Sequence, residues 1–336
     1  MASIPEIPER VRREILAGEA TPERHAALLE SLGFARALEL VQARAPLGLA
    51  RDSLRVVAWN AQRCREPARA AEFLRASGAD AFLLSELDVG MARSGQVHAP
   101  RELAGRLGCS AAFAVEFLEL GLGDAEEQRA CAGGRNQVGY HGGAVLARTE
   151  LVAPEVTRLE PGGRWFDGRR GERRVGTRIA VLCRIALGAR QLALASVHLE
   201  SHSDPAERAA QLAVVFDRLE QAAPGLPALV GGDVNTHSLG RAELEDPDAL
   251  RAALARDPSR LTDPVAHEPL FALAEARGFA WRAANLRPAP TYKRGGRGAL
   301  QLDWFFARGL ELSEPAVLPS DDLSDHDAVA LSVRLP

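Results

Sequence analysis

Polar side chains that can bind a metal ion or carry a proton recur where the apolar runs of this 336-residue chain begin or end. Any one of them alone is typical of a turn, because Asn and Asp often cap the ends of strands. Their recurrence at six such places favours a shared site at one rim of a sheet. The candidates are Asn60, Glu86, His198, Asp233, Asn235, Asp303, Asp325 and His326.

The residue types indicate the chemistry of this site. Carboxylates and amides, with no cysteine among them, form the oxygen-rich ligand set that suits Mg²⁺ or Mn²⁺. Two histidines beside acids provide acid–base or electrostatic partners for a phosphoryl group. Together they predict hydrolysis of a phosphoester, a reaction in which the protein mainly positions groups and neutralises charge.

The pattern from Leu54 onward predicts the elements that must position these residues. Short apolar strands are separated by helices, and residues 178–187 and 191–199 form a predicted hairpin. A helix is predicted over about residues 204–221, and the glycine-rich, charged residues 121–143 are predicted to be a long loop. Mixed hairpins and alternating helices favour α+β layers over a strictly parallel sheet.

The first 50 residues differ from the rest of the chain. Residues 21–23 read Thr-Pro-Glu, the N-cap, proline and early acid of a helix start. Leucines with helical periodicity continue through residues 38–40. We therefore predict a helical extension over residues 1–50 that packs on a main domain over residues 51–336.

Composition and charge exclude several classes of protein. A chain that is 46% hydrophobic and 26% charged is typical of a globular protein. Its net charge is −4, and Lys293 is the only lysine among 41 basic residues, which disfavours a protein that coats nucleic acid. The four cysteines form no Cys-x-x-Cys pair. No apolar stretch approaches the ~20 residues of a membrane span, and no secretory signal is evident, so a cytoplasmic location is expected.

Taken in order, the candidate residues and their neighbours resemble the endonuclease/exonuclease/phosphatase superfamily. These metal-dependent hydrolases include relatives of DNase I, AP endonucleases, neutral sphingomyelinases and inositol-polyphosphate 5-phosphatases. The resemblance implies a four-layered α/β sandwich in which two packed mixed sheets are flanked by helices, with the site at one rim. The matching segments are Trp59-Asn60, Ser85-Glu86, Ser196-Val197-His198-Leu199, Gly232-Asp233-Val234-Asn235, Leu302-Asp303 and Ser324-Asp325-His326.

The same resemblance implies the metal ligands. Glu86 is implied as the principal ligand of Mg²⁺ or Mn²⁺, helped by Asn60 and Asp325. Asp233 is implied to orient or deprotonate the attacking water, or to hold a second metal ion, for which Asn235 is a further candidate ligand.

The remaining roles implied by the resemblance concern the phosphate. Asn235 contacts the scissile phosphate, and His326 stabilises the transition state while Asp303 fixes its tautomer. His198 matches the branches of the superfamily in which a second histidine faces the phosphate or the leaving group.

Arg178 and His141 are implied as substrate contacts. Arg178 lies where several members of the superfamily place an arginine beside the phosphate. His141 precedes Gly142-Gly143, where relatives often carry a Gly-Asn pair whose asparagine is missing here. Residues 169–174 include four arginines, which form either a solvated loop or a substrate clamp.

The substrate stays open at this point. A phosphoester of a small molecule, a lipid head group or a nucleic acid is compatible with the residues, and one fold hosts many substrates. The negative net charge and few aromatic residues disfavour a broad nucleic-acid track without excluding a nuclease. A catalytically inactive binding protein is the third possibility, and the sequence indicates no particular protein partner.

Overall fold

The computed structural model describes residues 4–43, 52–293 and 300–336. Its helices are α1 (Glu9–Ala17), α2 (Pro22–Ser31), α3 (Pro67–Ala76), α4 (Ala99–Leu107), α5 (Ala125–Ala130), α6 (Pro205–Ala222), α7 (Arg241–Glu245), α8 (Pro247–Arg256), α9 (Ser259–Thr262) and α10 (Leu270–Ala276). Its strands are β1 (Leu38–Val41), β2 (Ser53–Arg63), β3 (Ala81–Val89), β4 (Ser110–Glu119), β5 (Tyr140–Ala147), β6 (Val152–Arg158), β7 (Arg174–Gly176), β8 (Ile179–Leu187), β9 (Arg190–His198), β10 (Ala228–Asp233), β11 (Asp303–Arg308), β12 (Glu311–Leu318) and β13 (Ala328–Arg334).

The strands of these described residues form two sheets. The first sheet has the order β1-β4-β5-β3-β2-β13-β12, with β7 paired to β4, and the second has the order β11-β10-β9-β8-β6. Both sheets are mixed, because β2 runs parallel to β3 and β9 runs parallel to β10 while the other pairs are antiparallel. This mixture confirms the expectation of layers that are not strictly parallel.

Three apolar clusters hold four layers together. Between the sheets, Val56 of β2 and Leu194 of β9 belong to one buried cluster. Phe82 lies in a second cluster, between the first sheet and helices α3 and α4. Phe216 and Trp304 lie in the third, where α6 and α10 cover the second sheet. Since each face of each sheet is covered, the predicted four-layered sandwich is confirmed.

The N-terminal segment is only partly helical. Helix α2 begins as predicted, with the Thr21 hydroxyl accepting a hydrogen bond from the Arg24 backbone N–H. The helical prediction for residues 38–40 is wrong, because they belong to β1, which pairs antiparallel with β4. Leu38 is buried in the core between the sheets, so the leucines of this run are also compatible with a strand. The predicted boundary at residues 50 and 51 lies outside the described residues.

The predicted loop over residues 121–143 is also wrong in part. Asp124 caps α5 by accepting hydrogen bonds from two backbone N–H groups, and β5 begins at Tyr140. Gly142 lies inside β5, where a Cβ atom would sit 2.0 Å from the Ala114 carbonyl oxygen of β4. A glycine that reads as a loop residue is therefore needed for close approach of two strands.

Other sequence predictions are confirmed. The hairpin is formed by β8 and β9, and the predicted helix after Asp204 is α6. None of the helices in the described ranges is both long and apolar enough to span a bilayer.

Candidate active site

The two sheets bring the ends of five strands to one rim. Across neighbouring strands of the second sheet, Asp233 of β10 is in register with His198 of β9 on one side and with Asp303 of β11 on the other. In the first sheet, Asn60 of β2 is paired with Ser85 of β3, next to Glu86. Asn60 and Asp233, which are 173 positions apart in sequence, thereby come within hydrogen-bond distance.

Asp233 lies at the centre of this group. Its Oδ2 accepts a hydrogen bond from Asn60 Nδ2 at 3.1 Å and lies 3.6 Å from His198 Nε2 and 3.7 Å from His326 Nε2. Its Oδ1 accepts a hydrogen bond from the Asn235 backbone N–H at 2.9 Å. Burial and the nearby Asp303 raise the pKa of Asp233, against the opposing effect of the two histidines and Asn60.

His326 is held by a carboxylate. Its Nδ1 lies 2.8 Å from Asp303 Oδ2, and both side chains are buried. Burial alone would lower the pKa of His326, but the charges of Asp303, Asp233 and Asp325 outweigh it and raise that pKa to about 10. The raised pKa favours the protonated imidazole, whose Nε2 lies 3.7 Å from Asp233 Oδ2.

The loop that carries Asp325 and His326 is attached to β2. The Ser324 hydroxyl donates to the Asn60 carbonyl at 2.7 Å and accepts from the His326 backbone N–H at 3.0 Å. The Trp59 indole N–H donates to the His326 carbonyl at 3.0 Å. These bonds bring Asp325 to the same cleft as Asn60.

Glu86 and Asn60 form the oxygen-rich side of the site. Asn60 Nδ2 lies between two carboxylates, 3.2 Å from Glu86 Oε1 and 3.1 Å from Asp233 Oδ2. Burial would raise the pKa of Glu86, but Arg63 and nearby histidines hold it well below its usual range. Glu86 has φ of +56° in a region where the pairing of β3 with β5 shifts register, so backbone strain is concentrated at this residue.

The donor set fits a hard divalent cation. Two ionised or ionisable carboxylates already converge on one amide, and Asp325 lines the same cleft. Such oxygen ligands suit Mg²⁺ or Mn²⁺. Asp233, Asp303 and His326 also place one ligand atom each within 4.8 Å of one another. In this second group, Asp303 Oδ2 is already bonded to His326 Nδ1.

His198 and Arg178 form one ion-paired unit. Arg178 Nη1 lies 3.0 Å from His198 Nδ1, and the guanidinium pairs with Glu116 and with Glu200, the latter at 3.1 Å. Burial would raise the pKa of Glu116, but His198 and Arg178 lower it to about 2. Arg178 reaches the cleft, with its positive charge already balanced by two buried carboxylates.

His141 is likewise held by buried charged side chains. Its Nδ1 lies 2.8 Å from Asp88 Oδ1, and Arg93 binds both oxygens of Asp88 at 2.9 Å. Burial is the main cause that lowers the pKa of His141, and the positive charge of Arg63 adds to it. The neutral ring therefore presents Nε2 towards the cleft, where Arg63 Nη1 lies 3.5 Å away.

Two of the four arginines in residues 169–174 are fixed by contacts within the protein. Arg173 donates to the carbonyls of Leu16 and Gly18 at the end of α1, at 2.7 and 2.8 Å. Arg174 is buried, pairs with Glu172 and lies over the ring of Trp165. Arg169 is the most exposed of these arginines, with 86% of its side chain exposed.

Sequence reasoning missed several residues of the site. Glu116 and Glu200 carry the charge balance of Arg178, and Arg63 and Glu172 line the cleft. Glu116 had a signal, since it is a lone acid inside the apolar run 111–118. All the predicted site residues except the buried Asp303 line an open cleft of about 530 Å³, and Asp303 lies directly behind His326.

Comparison with known proteins now identifies the family. The sequence profile of the Endonuclease/Exonuclease/phosphatase family matches residues 57–326, which contain every candidate residue above. The chain belongs to this family. The family comprises phosphoesterases and nucleases, and its members generally depend on divalent metal ions. A comparison with curated proteins gives no match.

Solved structures of the family share the fold at low sequence identity. An endonuclease/exonuclease/phosphatase from Beutenbergia cavernae is similar with a TM-score of 0.57 and 18% identity, over 85% of this chain and 72% of that one. The human Nocturnin catalytic domain with bound sulfate is similar with a TM-score of 0.52 and 16% identity, over 90% of this chain and 98% of that one. TDP2 from Caenorhabditis elegans is similar with a TM-score of 0.50 and 15% identity, over 84% and 75%.

Proposed function

We propose that this protein is a divalent-metal-dependent hydrolase that cleaves a phosphoester by direct attack of water. The convergence of Asn60 Nδ2 and two histidine Nε2 atoms on Asp233 Oδ2 is the observation that supports this most strongly. A buried carboxylate surrounded by donors can orient a water molecule and accept its proton.

Glu86, Asn60 and Asp325 would hold the metal ion. When bound, Mg²⁺ or Mn²⁺ polarises the phosphoryl oxygen and neutralises charge that develops on it. Asp233 and Asn235 are the candidates for a second ion.

The side chains of the protein do the remaining work. Asp233 orients the attacking water and takes its proton, a role for which its raised pKa suits it. His326, kept protonated by Asp303, donates from Nε2 to a phosphoryl oxygen as negative charge builds there. Asn235, fixed by its amide donating to the Leu199 carbonyl at 2.9 Å, contacts the phosphate.

His198 and Arg178 form the opposite side of the phosphate site in this proposal. Because Glu116 and Glu200 hold the arginine, its N–H groups are fixed in direction rather than free to follow a ligand. His198 would face the phosphate or the leaving group. His141 would be a further substrate contact, through Nε2.

The cleft charges favour a substrate with few phosphates. Each described arginine that lines the cleft is ion-paired with at least one carboxylate, namely Arg63, Arg65, Arg174 and Arg178. Binding a long polyanion requires several unbalanced cations along its path. A small phosphoester or a lipid head group is therefore favoured, and a DNA or RNA nuclease is the second candidate.

A panel of substrates tests the proposal. The purified protein is incubated with plasmid DNA, RNA, sphingomyelin, inositol phosphates and aryl phosphoesters, each with Mg²⁺, with Mn²⁺ and with EDTA. We expect metal-dependent release of product from a small phosphoester or a lipid. Cleavage of nucleic acid alone would support the second candidate, and no hydrolysis together with no metal binding would indicate an inactive binding protein.

A further inference from the structure

Arg63 occupies an unusual place beside the proposed metal ligand. Its Nη1 lies 3.3 Å from Glu86 Oε2 and 3.5 Å from His141 Nε2. A nitrogen that carries part of a positive charge thus lies between two groups that bind divalent cations in other proteins.

The rest of the guanidinium is fixed from behind. Arg63 Nη2 pairs with Glu172 at 2.9 Å, and Nε pairs with Glu127 at 3.3 Å. These carboxylates come from the loop before β7 and from α5, so Arg63 joins three separate segments at one wall of the cleft. Only 12% of its side chain is exposed.

The backbone around Arg63 adopts an energetically unfavourable conformation. Gln62, Arg63 and Cys64 have φ of +41°, +74° and +48°, values that side-chain-bearing residues rarely adopt. Three strained residues in succession persist only where the surrounding structure over-determines them. The chain therefore holds Arg63 inward at the end of β2 instead of releasing it to solvent.

Carboxylates outnumber cations in this wall of the cleft. Behind Glu86, Asp88, Glu119, Glu127 and Glu172 are buried with the guanidinium groups of Arg63, Arg93 and Arg174, and Arg65, 49% of whose side chain is exposed, pairs with Glu127. With Glu86, five carboxylates face these four cations, so the wall keeps an excess negative charge even with Arg63 present.

We propose that Arg63 is the internal counter-ion of Glu86 in the metal-free protein and that it lowers the affinity of the site for divalent metal. Metal binding at Glu86 replaces the Nη1 contact and places two positive groups near each other, which opposes loading. Occupancy of the site then responds to the concentration of free metal ion instead of being saturated at trace levels. This inference rests on the proposed function, since it assumes that Glu86 binds the metal.

Calorimetric titration with Mn²⁺ tests the inference without measuring activity. Arg63→Gln removes the charge, and Arg65→Gln is the matched control, because Arg65 pairs with Glu127 at 2.6 Å and has no ion pair to Glu86 among the described residues. We expect Arg63→Gln to bind Mn²⁺ at least fivefold more tightly than both the wild type and the control. A smaller gain, or weaker binding, overturns the proposal.

Glu86→Gln separates this inference from the proposed function. If Glu86→Gln binds Mn²⁺ as tightly as the wild type, the proposed metal site is wrong. If it abolishes binding while Arg63→Gln leaves affinity unchanged, only the counter-ion role fails. In the double variant, the gain from Arg63→Gln must disappear.

A measurement on the wild type covers the case in which Arg63→Gln does not fold. NMR of side-chain guanidinium nitrogens, with Arg63→Lys used to assign the Arg63 signal, follows a titration with Mg²⁺. We expect the Arg63 signal to shift as Mg²⁺ binds. An unchanged signal at saturating Mg²⁺ contradicts the exchange.

Discussion

Replacing Asp303 with asparagine tests how the charge of His326 is set. Asp303 Oδ2 lies 2.8 Å from His326 Nδ1, and Asp303 is the foremost of three carboxylates that raise the pKa of His326 from 6.5 to about 10. The amide keeps the size of the side chain but removes its charge. The position of β11 in its sheet should not change, because Asp303 pairs with Asp233 through backbone atoms.

The size of the effect follows from the pKa. If Asp303 contributes about half of the rise, its removal lowers the pKa of His326 by roughly two units, or about 3 kcal/mol in favour of the neutral ring. His326 loses its proton as pH rises through its pKa, so the wild type keeps His326 protonated well above neutral pH. Asp303→Asn loses this proton at a pH roughly two units lower.

Steady-state kinetics over pH 6 to 10 with a saturating phosphoester and Mn²⁺ is the assay. We expect kcat of Asp303→Asn to fall with the protonated fraction of His326, by about twofold at pH 8 and about tenfold at pH 9 relative to the wild type, with little loss at pH 6. Asp322→Asn, an exposed carboxylate paired with Arg69, is the matched control and should leave the profile unchanged. An Asp303→Asn profile parallel to that of the wild type, or a loss under threefold at pH 9, would refute this account of His326.

Three further predictions concern stability. Glu116 has a pKa of about 2 in the folded protein against an ordinary value of 4.5. Its contribution to the free energy of unfolding, about 3 kcal/mol, is therefore present above pH 4.5 and is lost as pH falls towards 2. The stability of Glu116→Gln, measured by urea unfolding, should depend less steeply on pH in this window than that of the wild type, and equal slopes would contradict this prediction. Gly232→Ala places a Cβ 2.0 Å from the Val197 carbonyl oxygen at φ of +146°. It should lower the free energy of unfolding by about 3 kcal/mol or more, measured by thermal unfolding. An unchanged Tm would show that β9 and β10 can move apart to admit the methyl group. Arg12→Ala removes a buried guanidinium that donates to the Asn136 carbonyl at 2.6 Å, and should lower the free energy of unfolding by about 2 to 4 kcal/mol; a loss under 0.5 kcal/mol would mean that the N-terminal segment adds little.

Local signals explain what could be predicted from the sequence. Thr21 with Pro22, and Asp204 with Pro205, start helices through contacts within one turn, so both starts could be read directly. The site residues could be found because they lie where apolar runs begin or end.

The elements that were missed depend on distant partners. Residues 38–40 form a strand because they pair with β4, which lies more than 70 positions away in sequence. The requirement for glycine at position 142 comes only from the nearby backbone of Ala114. The partners of Arg63 come from residues 23, 64 and 109 positions further along the chain, and nothing in the spacing marks them. Ion pairs of this kind are formed by the completed fold, and they therefore escape sequence reasoning.

Turnover of the best phosphoester by the wild type and by Asp233→Asn tests the central claim most directly. Each protein is assayed after treatment with EDTA and again after adding Mn²⁺, with circular dichroism to show that both are folded. We predict that the wild type is inactive in EDTA and recovers with Mn²⁺, and that Asp233→Asn with Mn²⁺ stays at least about 1,000-fold slower than the wild type with Mn²⁺. Equal wild-type activity in EDTA and Mn²⁺, or Asp233→Asn within tenfold of the wild type, would contradict a metal-dependent hydrolase centred on Asp233.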